Sequence, residues 1–375
     1  MKKYIILVAA AVAALASCTK SEINSVDREI NFQVANYMAR TKAATGVLYD
    51  NGAFGTYAWF NSTDDFMVNE QIDLIGGVWK NKDNTFYWPK TGSIDFISYS
   101  PFEGTSNTAG TTPAVTKEKI TYTGVTAGTT DLMYADKVTV ACASGAGTNE
   151  INDGVDSGYK GVPTLFHHAL AKLSFQIKAN FVEWDDATTG SHTEWKVTVT
   201  SAKISGFKTT GNCELNWSGS EWTKPVTTVG GVDYNVWTSL SGATAEQELV
   251  DPTTYPTGVV LTTSAQTLNA ASGYVIPQVL EAAAQKITLA IHIKTTLSNG
   301  KTIEEDLNPT IDLTEISSLK AWQMNQNILY TISIKPTAKA TDGSGSDENP
   351  EDVIITFDPA TADWDSVAAT ATIQL

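Results

Sequence analysis

Several segments in the body of this chain alternate apolar and polar residues with a period of two, and that spacing restricts their structure more than any other feature. In ITLAIHIKTT, Ile287, Leu289, Ile291 and Ile293 fall on one face, and Thr288, Ala290, His292 and Lys294 on the other. NILYTISIK sets Ile328, Tyr330, Ile332 and Ile334 against Leu329, Thr331, Ser333 and Lys335. KLSFQIK sets Leu173, Phe175 and Ile177 against Lys172, Ser174, Gln176 and Lys178. Successive side chains of a strand point to opposite faces, so each run reads as a strand with one apolar and one wet side. Such strands build sandwiches. Frequent Thr, Val, Ile, Tyr and Trp, punctuated by Gly, Asn, Asp and Ser, agree. The best local helix former, QVLEAAAQK (Gln278 to Lys286), is expected to make no more than about two turns. The fold class is all-β.

The strands fall into two groups. The first, roughly Ile30 to Val140, includes FGTYAWF, NTFYWP, SIDFISYSPF and KITYTG; the second begins at TLFHHALAKLSFQIKAN. Between them runs the Gly-rich, weakly apolar stretch Ala143 to Pro163, the kind of solvated segment that few contacts cross. Two domains are expected, residues 30–163 and 164–375. The segment Lys339 to Asp352 (KATDGSGSDENPED) reads as a polar loop before the strand VIITF.

Charge and side-chain chemistry exclude more than they suggest. A net charge of −16 argues against nucleic acid or an anionic membrane surface as partner. His167 and His168 are strand neighbours facing opposite sides, so they cannot share a metal, and His192 and His292 stand alone. The acidic stretch Asp342 to Asp352 has Asp347 where a calcium loop needs Gly and Val353 where it needs a bidentate Glu. GAGTNE (Gly145 to Glu150) lacks the third glycine of a dinucleotide loop, and no G-x-S-x-G elbow occurs. No catalytic, cofactor-binding or metal residues emerge, and the chain is read as not an enzyme. A secreted hydrolase would need a cleft of convergent carboxylates, which form in space rather than in sequence. Trp59, Trp88, Trp322 and Trp364 lie in or beside strands and are read as packing residues. A surface glycan-binding lipoprotein, the alternative function, would instead present exposed aromatic pairs.

MKKYIILVAAAVAALAS, from Met1 to Ser17, joins two lysines to a short apolar run and small residues, the pattern of a secretory signal peptide (residues 1–17). LASC (Leu15 to Cys18) resembles a bacterial lipobox, in which the cysteine is acylated after cleavage. The expectation is a lipoprotein precursor, its palmitate-type anchor on Cys18 holding it to the outer membrane through a tether, residues 18–29. Export permits a disulfide between Cys142 and Cys213, but they lie far apart in sequence and are read as free buried thiols. The chain's 25 basic residues include only two arginines, Arg28 and Arg40, and both bracket EINFQVANYMA. In that segment Ile30, Phe32, Val34 and Met38 share a face that Asn36 interrupts.

The lipobox, the arginine-terminated first strand, TYAWF, YWPKTGSIDFISYSP, DLMYA, FHHALAKLSFQI, YVIPQ, WQMNQNILYTISI and ITFDPATADW occur in the order seen in the fimbrillins of Bacteroidales, and the chain resembles that family over essentially its whole length. The resemblance implies two tandem transthyretin-like β-sandwiches in a structural subunit of a surface fimbria that supports cell adhesion. It implies an arginine-specific protease cutting after Arg40, making Thr41 the new N-terminus. The first strand (Ile30, Phe32, Val34, Met38) would then leave its groove and the C-terminal strand of another subunit would enter. The last residues of this chain alternate up to the terminus, with Ala369, Ala371, Ile373 and Leu375 on one face, and form the candidate donor strand. Expected partners are other fimbrial subunits and the protease; no cofactor and no nucleic acid is expected.

Overall fold

The computed structural model describes residues 29–36, 52–89, 91–102, 112–142, 161–179, 184–186, 191–268, 273–296, 300, 302–315, 319–338, 350–363 and 371–372. Among these the architecture is all-β, with one single-turn 3₁₀ helix, Leu313–Glu315, and no α-helix. The N-terminal half contributes β1 (Asn31–Asn36), β2 (Phe54–Phe60), β3 (Asp64–Ile75), β4 (Val78–Asn81), β5 (Gly92–Ser100), β6 (Ala114–Thr116), β7 (Lys119–Thr126), β8 (Met133–Ala135), β9 (Val138–Cys142) and β10 (Val162–His168). The C-terminal half opens with β11 (Ala171–Ala179), β12 (Trp184–Asp186) and the long β13 (Ser191–Trp217).

Eight strands of the first half form one sheet in the order β2-β3-β4-β1-β10-β8-β5-β9, and β2 also pairs with β5. The hydrogen-bonded path therefore returns on itself: seven strands make a closed ring, with β9 alongside β5. Closure removes free edges, and the interior is filled by side chains such as Phe32, Phe54, Met67, Phe96 and Phe166. Tight turns let the ring close. Gly76 and Gly77 join β3 to β4 with φ of 62° and 84°, a conformation that side chains with a Cβ rarely adopt.

β5 is buried without interruption from Ile94 to Ser100, because its two faces serve two cores. Ile94 and Phe96 point into the ring, whereas Ile97 joins a separate cluster with Trp59, Tyr122, Leu170, Trp237, Ile276 and Met324. This second cluster draws residues from both halves of the chain.

In the C-terminal half the alternation read from sequence holds. Ile287, Leu289, Ile291 and Ile293 are buried, as are Ile328, Tyr330, Ile332, Ile334, Leu173, Phe175 and Ile177, and all belong to one further core. One sheet of this half contains β11 between Gln266–Thr267 and the strand Gln326–Ala338, followed by Pro350–Asp363 and Ala371–Thr372. The facing sheet is organised by β13, which pairs with Lys286–Thr296 through Glu194 to Ser205 and with Thr238–Glu248 through Lys203 to Asn212. Its far end, Thr210 to Asn216, pairs with β7 from the first half. A division after Pro163 falls inside β10, which lies in the N-terminal sheet between β1 and β8.

Two local expectations are corrected. QVLEAAAQK is not helical: Gln278–Val279 is a short strand, a turn follows, and Ala283 has φ 61°. Tertiary partners override its helix propensity. The Gln278 carboxamide donates to Lys208 O at 2.9 Å and accepts from Lys208 N at 2.9 Å, and Gln285 Oε1 accepts from Glu281 N at 2.8 Å. NTFYWP is not a strand either; Tyr87 makes only an isolated antiparallel bridge to Glu29.

Candidate functional site

The site is the seat of β1. Alternation in EINFQV places Ile30 and Phe32 inward, and both are almost sealed, at 2% and 3% exposure. Val34 is half-buried and packs on the same core. Phe32 meets Phe54 and Phe96 edge-on, with ring centroids at 5.6 and 5.9 Å, and Phe54 meets Phe166 at 5.4 Å. Burying a phenylalanine this fully stabilises by about 1.5–3 kcal/mol relative to leaving it exposed.

β1 is paired on both flanks. It runs parallel to β10, from Phe32 opposite Val162 to Asn36 opposite Phe166. It runs antiparallel to β4, with Asn31 opposite Lys80 and Phe32 opposite Trp79. The start of the strand is pinned by Ile30 N donating to Phe86 O at 2.8 Å and by Glu29 lying 3.7 Å from Lys80 Nζ. Without β1 the ring opens between β4 and β10, leaving two rows of unpaired backbone groups beside an apolar trough.

Two features loosen and tune the seat. Asn31 Oδ1 is sealed from solvent with no hydrogen-bond partner among the described residues, and a buried orphan of this kind costs about 1–3 kcal/mol. Gly161, just before β10, has φ 147°, and a Cβ there would lie 2.6 Å from Asn31 O and 2.8 Å from Phe32 C. The strand can approach β10 only because position 161 carries no side chain. Neither feature was singled out from the sequence; a glycine directly preceding the strand VPTLFHH was the one available signal.

Of the other expected site residues, Cys18, Met38, Arg40, Thr41, Ala369, Ile373 and Leu375 lie outside the described residues, as do Arg28 and Trp364. Ala371 falls in the short strand Ala371–Thr372, which pairs with Phe357 and Thr356 at the edge of the C-terminal sheet. Trp59, Trp88 and Trp322 are buried.

Three histidines are each paired with a carboxylate. His167 Nε2 lies 2.9 Å from Asp136, His168 Nδ1 2.7 Å from Asp131, and His292 Nδ1 2.8 Å from Asp306. No group of three or more His, Cys, Asp or Glu side chains could hold a metal among the described residues. Cys213 is a free, buried thiol whose pKa is pushed up by burial. Asp95, on β5, is also buried. Burial alone would raise its carboxyl pKa, but hydrogen bonds from Thr139 (2.6 Å) and Ser62 (2.8 Å) and the Lys137 ammonium at 3.3 Å together hold it below the usual value. The strand opposite the seat is thereby fixed.

Residues 41–364 match the family model described as fimbrillin-like. No curated protein matches the chain. The solved structures it is similar to include a fimbrial protein from Bacteroides vulgatus ATCC 8482, at 16% identity and TM-score 0.49, covering 90% of this chain and 100% of that one. Another is a candidate cell adhesion protein from Bacteroides uniformis ATCC 8492, at 18% identity and TM-score 0.41, covering 90% and 98%. A third is a fimbrial assembly protein from Parabacteroides distasonis ATCC 8503, at 10% identity and TM-score 0.34, covering 88% and 94%.

Proposed function

This chain belongs to the fimbrillin-like family, and on that premise we propose that it is a structural subunit of a bacterial surface fimbria, matured by removal of β1 and assembled by strand exchange. The carrying observation is topological. The strand that closes the ring is the one that the chain's only two arginines bracket. The family match begins at Thr41, the residue that a cut after Arg40 would leave at the N-terminus. An open gap with two unpaired flanks and a phenylalanine-lined trough is suited to receive a strand from another molecule, the β-augmentation mode of recognition. Lysine at every other basic position spares the body from an arginine-specific protease.

In the same reading the precursor is exported as a lipoprotein anchored to the outer membrane through Cys18, and the C-terminal residues Ala369, Ala371, Ile373 and Leu375 supply the donor face. The two halves correspond to tandem sandwich domains of a subunit that adheres through the polymer it builds. N-terminal sequencing of the protein recovered from surface filaments tests this, with Thr41 the expected first residue. Recovery with acylated Cys18, or normal filaments from Arg40→Lys, would overturn the processing step. Normal filaments after deletion of residues 368–375 would overturn the donor assignment.

A further inference from the structure

Away from the β1 seat, a cleft of about 530 Å³ opens between the β2–β3 hairpin and the β6–β7 hairpin, within the roughly 300–1,000 Å³ of small-ligand sites. Its walls carry Tyr57 and Trp59, alternate residues on one face of β2 whose rings lie nearly parallel, 13° apart with centroids 6.2 Å from each other. Tyr57 is half-buried and offers the cleft its aromatic surface, whereas Trp59, 5% exposed, belongs to the core and backs the Tyr57 ring. Val68, 59% exposed, and half-buried Val115 extend the apolar surface. On the rim stand two exposed carboxylates, Asp65, directly across the strand pair from Trp59, and Glu118.

The cleft is preformed. Lys117 Nζ donates to Thr63 O at 2.9 Å, tying the tip of one hairpin to the turn of the other. Lys137 Nζ donates to Lys117 O at 3.0 Å, and Trp217 N to Glu118 O at 2.8 Å. Its one ammonium is thus already engaged, and the two carboxylates give the rim a negative balance. An anionic ligand is disfavoured there. Apolar C–H faces fit against the Tyr57 ring and the valines, and hydroxyl donors fit carboxylate acceptors; a pyranose ring offers both.

We propose that this cleft binds a neutral saccharide, a property independent of strand exchange. The full processed chain is titrated with the methyl glycosides of glucose, galactose and mannose, and with sialic acid, following tryptophan fluorescence and ligand-detected NMR. The expected result is a saturable response to at least one neutral glycoside and none to sialic acid. Two variants that leave the core untouched should weaken it: Asp65→Asn with Glu118→Gln by tenfold or more, through loss of charged acceptors, and Val68→Arg by filling the cleft. The proposal fails if no neutral glycoside saturates, if sialic acid binds as well, or if affinity is unchanged in both variants. It also fails if the cleft variants alter only self-association.

Discussion

Asn31 and Asp95, each on the face of its strand turned away from the ring interior, illustrate opposite ways of burying a polar atom. Asn31 Oδ1 is sealed without a partner among the described residues, on the strand proposed to leave; an orphan there lowers the stability of the seated state. Replacing it with an apolar residue of similar shape removes the penalty, so Asn31→Leu is expected to raise the stability of the uncut chain by about 1–3 kcal/mol. A higher urea midpoint with unchanged slope checks this, and an unchanged or lower midpoint counts against it. Asp95 is fully engaged by Thr139, Ser62 and Lys137. Its folded pKa lies below its unfolded value, so its contribution is present above the unfolded pKa of about 3.9 and is lost as pH falls through the folded pKa. Asp95→Asn is therefore expected to melt lower than the parent at neutral pH, with the difference shrinking below about pH 4. A difference that grows in acid would refute the assignment.

At the scale of elements, the strands with one wet face were legible because a period of two survives in their sequence, as in Lys286–Thr296, every second residue of which is buried. β1 was legible for the same reason, as far as Ile30, Phe32 and Val34. Elements shaped by distant partners were not. QVLEAAAQK carries helix-forming residues, and only the Lys208 backbone, far away in sequence, dictates otherwise. Which strands flank β1 was equally hidden, since parallel pairing with β10 depends on topology rather than on local spacing. Gly161 belongs to this class, because its need for φ 147° and for the absence of a Cβ arises from the backbone of Asn31 and Phe32. Gly161→Ala is expected to push β1 away from β10 while leaving the C-terminal core intact. Hydrogen exchange should then show lost protection across Asn31–Asn36 and Val162–Phe166 and little change in Gln326–Ala338. Full protection in β1 would show that the backbone accommodates the methyl group.

For the molecule as a whole, the joint between the halves is a core rather than a hinge. Trp222 Nε1 donates to Ala135 O at 2.9 Å, and β7 pairs with β13. A single calorimetric transition is expected for the uncut chain, and two well-separated transitions would show that the halves unfold independently. The closed ring also bears on why cutting the backbone would matter if β1 itself made the same contacts afterwards. While the chain between Asn36 and Phe54 is continuous, β1 competes for its seat at an effective concentration in the millimolar range. Once it is severed, that competition becomes second order in dilute solution. At micromolar strand, occupancy is disfavoured by about 4 kcal/mol more than before. A seat that was always refilled by its own strand would then be governed by mass action, and in the proposed assembly the end of a neighbouring subunit, the occupant at the highest local concentration, would take it.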